Sequence, residues 1–206
     1  DYAAEDADFT RRLYDMFYDP LRICGRLSVY EDIDRPLIPV IAEMERTGVR
    51  LDPAVLKTLS ADFGAQMTEL ESDIHALAGA PFNVGSPKQL GDILFTKMGL
   101  PGGARTKTGD WSTAADTLDS LAEAGHDIAV KVLEWRGLAK LKSTYTDALV
   151  QAIHPQTGRV HTSYHMAYTA TARLSSTDPN LQNIPIRTSN GRKIRRAFVT
   201  DPGYKL

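Results

Sequence analysis

Residues 52–79 read DPAVLKTLSADFGAQMTELESDIHALAG, and this stretch predicts the first of two long helices. A helix is expected to begin here, because the Asp52 carboxylate can accept backbone N–H groups and Pro53 suits the first helical position. Gly79 provides the stop. An apolar residue recurs at every third or fourth position, and this narrow seam predicts packing against a second long helix. The seam consists of Val55, Leu56, Leu59, Phe63, Met67, Leu70, Ile74 and Leu77.

The partner helix is predicted over residues 127–153, DIAVKVLEWRGLAKLKSTYTDALVQAI. At ~1.5 Å per residue both helices are about 40 Å long, which suits an antiparallel arm. Between them, an S-x-x-Q capping box begins a helix at Ser86 that ends at Gly99. Thr113 is expected to cap another short helix, so the two small helices would form a tip on the arm.

The flanking segments predict one more helix and a few strands. Asp34 is expected to cap a helix that ends at Gly48. Residues 158–171, GRVHTSYHMAYTAT, alternate and are rich in β-branched and aromatic residues, which indicates strands and turns. Residues 191–206 predict a short helix and then the start of a strand. The expected fold is therefore mainly α, with a few β-strands near the C-terminal end.

The net charge of −2 hides an acidic first part and a basic second part. Residues 1–80 hold 8 Lys+Arg against 16 Asp+Glu, a net of −8, whereas residues 81–206 hold 16 against 10, a net of +6. A basic half favours a polyanionic partner. The alternative is a chance scatter of charges over solvated helix faces. No apolar run approaches the ~20 residues of a membrane span, so no membrane partner is expected.

Residues 169–185, TATARLSSTDPNLQNIP, combine one arginine with many neutral hydrogen-bonding groups. Base pairs of every sequence present purine N3 or pyrimidine O2 acceptors in the minor groove, so a protein that grips any sequence would aim donors there. The candidates are Arg173, Asn180, Gln182 and Asn183, followed by Arg187. A loop that merely satisfies its own backbone is the alternative. The adjacent basic run RTSNGRKIRR favours nucleic acid.

Two further clusters carry lysines and hydroxyl groups, which contact phosphates without reading sequence. One lies on the second long helix and consists of Lys140, Lys142, Ser143 and Thr144. The other lies in the tip loop and consists of Thr106, Lys107, Thr108, Ser112 and Thr113. Each cluster alone would pass as ordinary polar surface, but together they favour a duplex backbone.

Signals for a metal are weaker. His161 and His165 are four residues apart, but their segment predicts a strand and lacks the H-E-x-x-H pattern. The acids Glu5, Asp6 and Asp8 fit either metal-binding carboxylates or a solvated helix start.

Several motifs resemble the family A DNA polymerases of bacteria. Residues 168–198, YTATARLSSTDPNLQNIPIRTSNGRKIRRAF, are similar to the family segment T-A-T-G-R-L-S-S-x-x-P-N-L-Q-N-I-P-x-R. FNVGSPKQLGDILF at 82–95, RGLAKLKSTYTDAL at 136–149 and TGRVHTSYH at 157–165 match the same family in the right order. YAAEDAD at 2–8 resembles the last motif of its 3′–5′ exonuclease, Y-x-x-x-D.

The resemblance implies an internal fragment of an α+β parent. Residues 1–28 would end the exonuclease domain, 29–153 would form the thumb, and 154–206 would begin the palm. It implies that Tyr2 orients the attacking water in proofreading and that Asp6 binds a catalytic metal.

For DNA, the resemblance implies that Arg173 donates into the minor groove at the primer terminus. The residues implied to track primer and template nearby are Asn180, Gln182, Asn183 and Arg187. The lysine and hydroxyl clusters of the arm and the tip would hold the duplex backbone.

Two departures from the family pattern matter. The family has glycine where this chain has Ala172. If the backbone there needs a positive φ or a close approach to DNA, the methyl group would strain it or displace Arg173. If it needs neither, the change costs only about a few tenths of a kcal/mol. The family's polymerase carboxylates, found in D-Y-S-Q-I-E-L-R and H-D-E motifs, are absent from the sequence. The earlier carboxylates of the exonuclease site are missing as well. We therefore expect this chain alone neither to polymerise nor to proofread, and to bind no Mg²⁺ stably, although the parent enzyme would use Mg²⁺ and dNTPs.

Three functional hypotheses remain open at this stage. The leading one is a fragment of a template-directed DNA polymerase of replication and repair that binds primer–template duplex. The others are a stand-alone duplex clamp without chemistry and a purely structural helical bundle with a basic face. A monomer in the bacterial cytoplasm, associated with the nucleoid, is expected.

Overall fold

The computed structural model describes residues 2–205; Asp1 and Leu206, the outermost residues of the predicted exonuclease and palm segments, lie outside the described residues. Helices dominate this part of the chain, as the sequence predicts. The α-helices are α1 (Tyr2–Ile23), α2 (Leu27–Val29), α3 (Arg35–Thr47), α4 (Pro53–Ala78), α5 (Pro87–Gly91), α6 (Ala115–Glu123), α7 (Asp127–Leu141), α8 (Ala148–Gln151) and α9 (Ser189–Arg195). Three π-helical segments join them, π1 (Tyr30–Asp34), π2 (Asp92–Lys97) and π3 (Lys142–Asp147). The strands are β1 (Val49–Arg50), β2 (Arg159–Val160), β3 (Ser163–His165) and β4 (Ser175–Thr177).

The chain divides into two compact units. Within the described residues the first unit comprises 2–49 and 161–182, and the second comprises 50–160 and 183–205. The domain boundaries expected from the family resemblance, at 28/29 and 153/154, stay a prediction.

The first unit contains a long run of helix and one β-hairpin. Helical backbone continues from α2 through π1 into α3, so the predicted cap at Asp34 is wrong: its φ and ψ are −67° and −46°, and its side chain makes no capping bond. Gly48 ends α3 with φ of 67°, as expected. In the hairpin β3 pairs antiparallel with β4, and His165 lies opposite Ser175 at the last register position.

The second unit is built on an antiparallel pair of helices. Asp52 caps α4 by accepting from the N–H groups of Ala54 and Val55, and Gly79 ends the helix in the left-handed conformation, as predicted. The helix α7 continues through π3 into α8, close to the predicted 127–153. Side-chain bonds fix the antiparallel register, because Lys131 contacts Asp73 at 2.8 Å and Ser60 contacts Asp147 at 2.6 Å.

A buried apolar cluster lies at the tip, where α5, π2 and α6 pack against the ends of the pair. Its fully buried members include Ile74, Leu90, Leu94 and Leu118. The seam prediction is wrong at one position, since Leu77 is 41% exposed. Ala78 is buried instead, because it lies four residues after the buried Ile74 and shares its helix face.

Of the two helix starts predicted in the tip, the cap of α5 is the expected residue and the cap of α6 is a different one. Ser86 accepts from the Gln89 N–H, but the Gln89 amide oxygen accepts from the Asn83 N–H, so the second bond of the expected box goes elsewhere. Thr113 is not the cap of α6; the cap position is Ala114, whose N–H donates to the Ser112 hydroxyl at 3.4 Å.

The second unit closes with α9 and short β contacts. Thr188 caps α9 by accepting from the Gly191 N–H. Arg50, the second residue of β1, begins this unit. The strand expected after α9 is reduced to one bridge between Phe198 and Leu51 within the described residues.

Candidate nucleic-acid interface

In the lysine and hydroxyl cluster on the second long helix, three residues are exposed and one is bonded within the protein. Lys140, Ser143 and Thr144 are exposed, and their spacing of three and four residues keeps them on one side of the helix. Lys142 is half-buried instead, and its ammonium group donates to the Asp147 carboxylate at 2.7 Å. The cluster therefore presents one exposed ammonium group and two hydroxyl groups, whereas the ammonium group of Lys142 is paired with Asp147.

Asp147 is the centre of a small polar network between the two long helices. Its carboxylate also accepts from the Ser60 hydroxyl at 2.6 Å. Burial by itself would raise the pKa of Asp147, but the hydrogen bonds from Lys142 and Ser60 outweigh burial and hold the pKa below its ordinary value. This network links the two long helices close to the exposed side chains of Lys140, Ser143 and Thr144.

The tip loop forms a small hairpin that presents a lysine at its turn. Backbone bonds run from the Ser112 N–H to Ala104 and from the Thr106 N–H to Asp110, so the turn contains Lys107 and Thr108. The three candidate residues of this turn, 106–108, are exposed. The Thr106 and Thr108 hydroxyl oxygens lie 2.9 Å apart.

An arginine that the sequence analysis missed stiffens this hairpin. The Arg105 guanidinium lies 3.5 Å from the centroid of the Trp111 ring and donates to the Gly109 carbonyl at 2.9 Å. The Trp111 indole N–H donates to the Thr96 hydroxyl, which ties the hairpin to the tip helices. The sequence signal was an Arg and a Trp on the two sides of a Gly/Thr-rich loop.

Thr113, in contrast, is buried, and its polar groups already have a hydrogen-bond partner within the protein. Arg136 donates to its carbonyl at 2.5 Å and to its hydroxyl at 3.0 Å. Burial lowers the pKa of Arg136, although a guanidinium remains charged at neutral pH. Thr113 therefore contributes to the tip's internal support in this structure.

Arg173 lies in the loop between β3 and β4, two residues before β4, and is exposed. The Thr169 hydroxyl accepts from the Arg173 N–H at 3.0 Å and donates to the Arg173 carbonyl at 2.7 Å. Between them Ala172 has φ of 57°, in the left-handed region that disfavours alanine by roughly 1–2 kcal/mol. Ala172, which stands where the family has glycine, therefore has the strained left-handed backbone.

Asn180 and Gln182 follow in the same unit, and both are exposed. The Asn180 side-chain oxygen accepts from the Gln182 N–H at 2.9 Å, and the Gln182 amide nitrogen donates to the Leu174 carbonyl at 2.5 Å. These bonds hold the two amides beside the segment that follows Arg173.

Asn183 and Arg187 belong to the second unit and are exposed as well. The Asn183 carbonyl accepts from the Tyr145 hydroxyl, a buried group whose pKa burial raises. The Arg187 carbonyl accepts from Arg192 at 2.9 Å. Exposed basic residues follow in and just after α9: Arg192, Lys193, Arg195 and Arg196.

The candidate metal residues do not converge in the described part of the chain. Tyr2 and Asp6 are exposed on α1. No group of three or more His, Cys, Asp or Glu side chains is placed to hold an ion among residues 2–205. His161 and His165 have other partners, since His161 bonds the Glu45 carbonyl and His165 bonds the Thr177 hydroxyl. The metal-binding role that the family resemblance implies for Asp6 stays a prediction.

No helix among residues 2–205 combines the length and the apolarity needed to cross a membrane.

The fold defines the class of protein by similarity, because it matches part of a solved polymerase domain. A solved structure described as the POL domain of Pol1 from M. smegmatis in complex with DNA primer-template and dNTP matches 94% of this chain and 34% of its own length. The TM-score is 0.83 and the sequence identity is 38%.

The chain belongs to DNA polymerase family A, whose family model matches residues 53–206. It is 57% identical over 205 residues to the DNA polymerase I of Rhizobium leguminosarum. It is 48% identical over 206 residues to the thermostable DNA polymerase I of Thermus aquaticus. These alignments cover 100% and 99% of this chain, which spans only 20% and 25% of the two relatives.

Proposed function

We propose that this chain is the part of a template-directed DNA polymerase that grips the primer–template duplex. One observation carries the proposal: the chain shares its fold over 94% of its length with a polymerase domain solved in complex with primer-template. The exposed cations and hydroxyl groups of the arm, the tip and the β3–β4 loop provide the chemistry that such a duplex needs.

The arm and the tip supply contacts that do not depend on sequence. Lys107 at the turn of the tip hairpin and Lys140 on α7 are exposed, so each can neutralise a phosphate without first breaking a buried contact. The hydroxyl groups beside them can donate to phosphate oxygens at little cost in desolvation. Lys142 contributes mainly through Asp147, which stabilises the arm.

Arg173 supplies the contact at the primer terminus. Its guanidinium can donate to a purine N3 or a pyrimidine O2, which correctly paired ends of every sequence place in the minor groove. A mispaired base moves that acceptor, so the same contact senses mismatches.

The chemistry of nucleotide addition belongs to other parts of such a polymerase. Residues 2–205 gather no set of carboxylates for two Mg²⁺ ions, so we assign the metal ions and the dNTP to residues outside this range. We propose a monomer that acts on DNA in the bacterial cytoplasm.

The proposal is tested by fluorescence anisotropy with three DNAs: a labelled primer–template, a closed dumbbell duplex of the same length, and the single-stranded template. We expect the chain to bind both duplexes more tightly than the single strand, with affinity that falls steeply as salt increases. Lys107→Ala and Lys140→Ala should each lower the salt slope by about 0.9, the value for one phosphate contact. Lys57→Ala, an exposed lysine on α4, is the matched control and should leave the slope unchanged.

Arg173→Ala should weaken binding to the primer–template more than binding to the dumbbell, which has no primer end. Equal losses on both DNAs would contradict the role at the primer terminus. A salt slope near zero for the unaltered chain would contradict the duplex grip itself.

A further inference from the structure

One hydroxyl group closes the loop that carries Arg173. The Thr169 Oγ atom accepts from the backbone N–H of Arg173 and donates to its backbone carbonyl, at 3.0 Å and 2.7 Å. A single side chain thus holds both hydrogen-bonding groups of one peptide segment four residues away. Residues 170–173 are themselves exposed, so packing contributes little to holding this turn.

The turn contains Ala172, whose left-handed backbone is unfavourable for alanine and needs a restraint. Ala172 has φ of 57°, where its methyl group crowds the following carbonyl. Without a restraint, alanine would return to negative φ. Such a change at residue 172 would reorient the peptide that leads into Arg173 and therefore the direction of the Arg173 side chain.

We propose that Thr169 is a positioning residue for Arg173: its hydroxyl holds Ala172 in the left-handed conformation and so fixes where the guanidinium points. This inference rests on the proposed function, because the guanidinium is the group that would meet the primer terminus. Thr169 acts through the backbone and makes no contact with DNA in this proposal.

The pairing of β3 with β4 fixes both ends of the loop that contains Thr169 and Arg173. β3 and β4 pair from Ser163 with Thr177 to His165 with Ser175, and the His165 ring bonds the Thr177 hydroxyl at 2.9 Å. The loop of residues 166–174 therefore starts and ends at fixed points. Between these points, the two bonds from Thr169 restrain the backbone at Arg173.

The test measures how well the chain recognises one acceptor atom. Primer–templates are prepared with guanine or 3-deazaguanine at the primer 3′ end; the analogue replaces the N3 acceptor with C–H. The discrimination ratio is the Kd for the analogue divided by the Kd for guanine. For a hydrogen bond from a charged donor we expect a ratio of about tenfold for the unaltered chain.

Thr169→Val keeps the shape and removes the hydroxyl, so the ratio should fall close to one. Thr169→Ser keeps the hydroxyl and should restore most of the ratio. Thr171→Val, an exposed threonine in the same turn, is the matched control and should leave the ratio unchanged. Far-UV circular dichroism checks that each variant is folded.

A double variant separates positioning from a general loss of structure. Glycine adopts the left-handed conformation without strain, so Thr169→Val combined with Ala172→Gly should regain part of the lost ratio. This double variant also keeps the test valid if Thr169→Val alone fails to fold.

The failure of this inference is distinguishable from failure of the proposed function. If Arg173→Ala loses the discrimination ratio but Thr169→Val retains it, the positioning role is overturned and the grip on the primer terminus stands. Loss of the ratio in Thr169→Val without rescue by serine also overturns it. If Arg173→Ala retains the full ratio, the role of Arg173 at the terminus fails, and the role of Thr169 fails with it.

Discussion

Replacing Ala172 with glycine should stabilise this chain. An alanine held at φ of 57° costs roughly 1–2 kcal/mol relative to its preferred conformations. Glycine removes that cost but gains freedom in the unfolded chain, which offsets about 0.4–1 kcal/mol. The expected gain in the free energy of unfolding is therefore about 0.5–1 kcal/mol.

Urea and thermal unfolding followed by far-UV circular dichroism measure this gain. For a chain of this size the gain corresponds to a rise in melting temperature of about 1–4 °C. Ala170→Gly is the matched control, because Ala170 is exposed in the same turn and its φ is not positive. The control should lose stability by about 0.4–1 kcal/mol, since only the unfolded-state effect remains. If both variants lose stability equally, the left-handed conformation of Ala172 is not a source of strain, and the reasoning is refuted.

Three further predictions concern the second unit. Arg136→Met should destabilise the chain by about 1–3 kcal/mol in urea unfolding, because it leaves the buried polar groups of Thr113 without their donor. Asp147→Asn should destabilise the chain at pH 7, and this loss should shrink as the pH falls through the acidic range. The pKa of Asp147 is lowered in the folded state, so its stabilising bond with Lys142 is present above the ordinary aspartate pKa and is lost on protonation. Gly137→Ala should raise the free energy of unfolding by roughly 0.5–1 kcal/mol, because nothing lies within 4 Å of an added Cβ in this helix.

Each of these predictions has a control on the same chain. Arg46→Met removes an exposed pair with Glu43 and should change stability by less than about 0.5 kcal/mol. Asp62→Asn, on the exposed face of α4, should change stability at pH 7 by less than about 0.5 kcal/mol. Gly91→Ala should have the opposite sign to Gly137→Ala, since its Cβ would lie 2.6 Å from the Trp111 Cβ. A stable Gly91→Ala variant would contradict the close packing at the tip.

The sequence predicts the arm well because its signals are local. Asp52 and Gly79 act within one turn of the helix ends that they define, and both are confirmed. Asp34 has the same local pattern but fails, because the preceding residues are helical too and leave no free helix end to cap. Leu77 fails because the tip determines which side of α4 is covered.

The candidate interface is harder to predict, because a polar side chain can be used inside the protein. Thr113 and Lys142 look like their exposed neighbours in the sequence, yet Arg136 and Asp147 engage them. The partner of Thr113 lies 23 residues away, so only the folded chain brings the two together. The sequence alone leaves open whether the backbone at Ala172 is left-handed, and only the structure gives its φ of 57° and the two bonds from Thr169.

The tip has a practical consequence for spectroscopy. The sequence contains two tryptophans, Trp111 and Trp135, and both pack against the apolar cluster at the tip. Indole emission from this chain therefore reports the surroundings of the tip. A guanidinium stacked on Trp111 makes that emission sensitive to any ligand that draws Arg105 away. The chain thus contains its own optical probe at the far end of the arm, and no label has to be attached there.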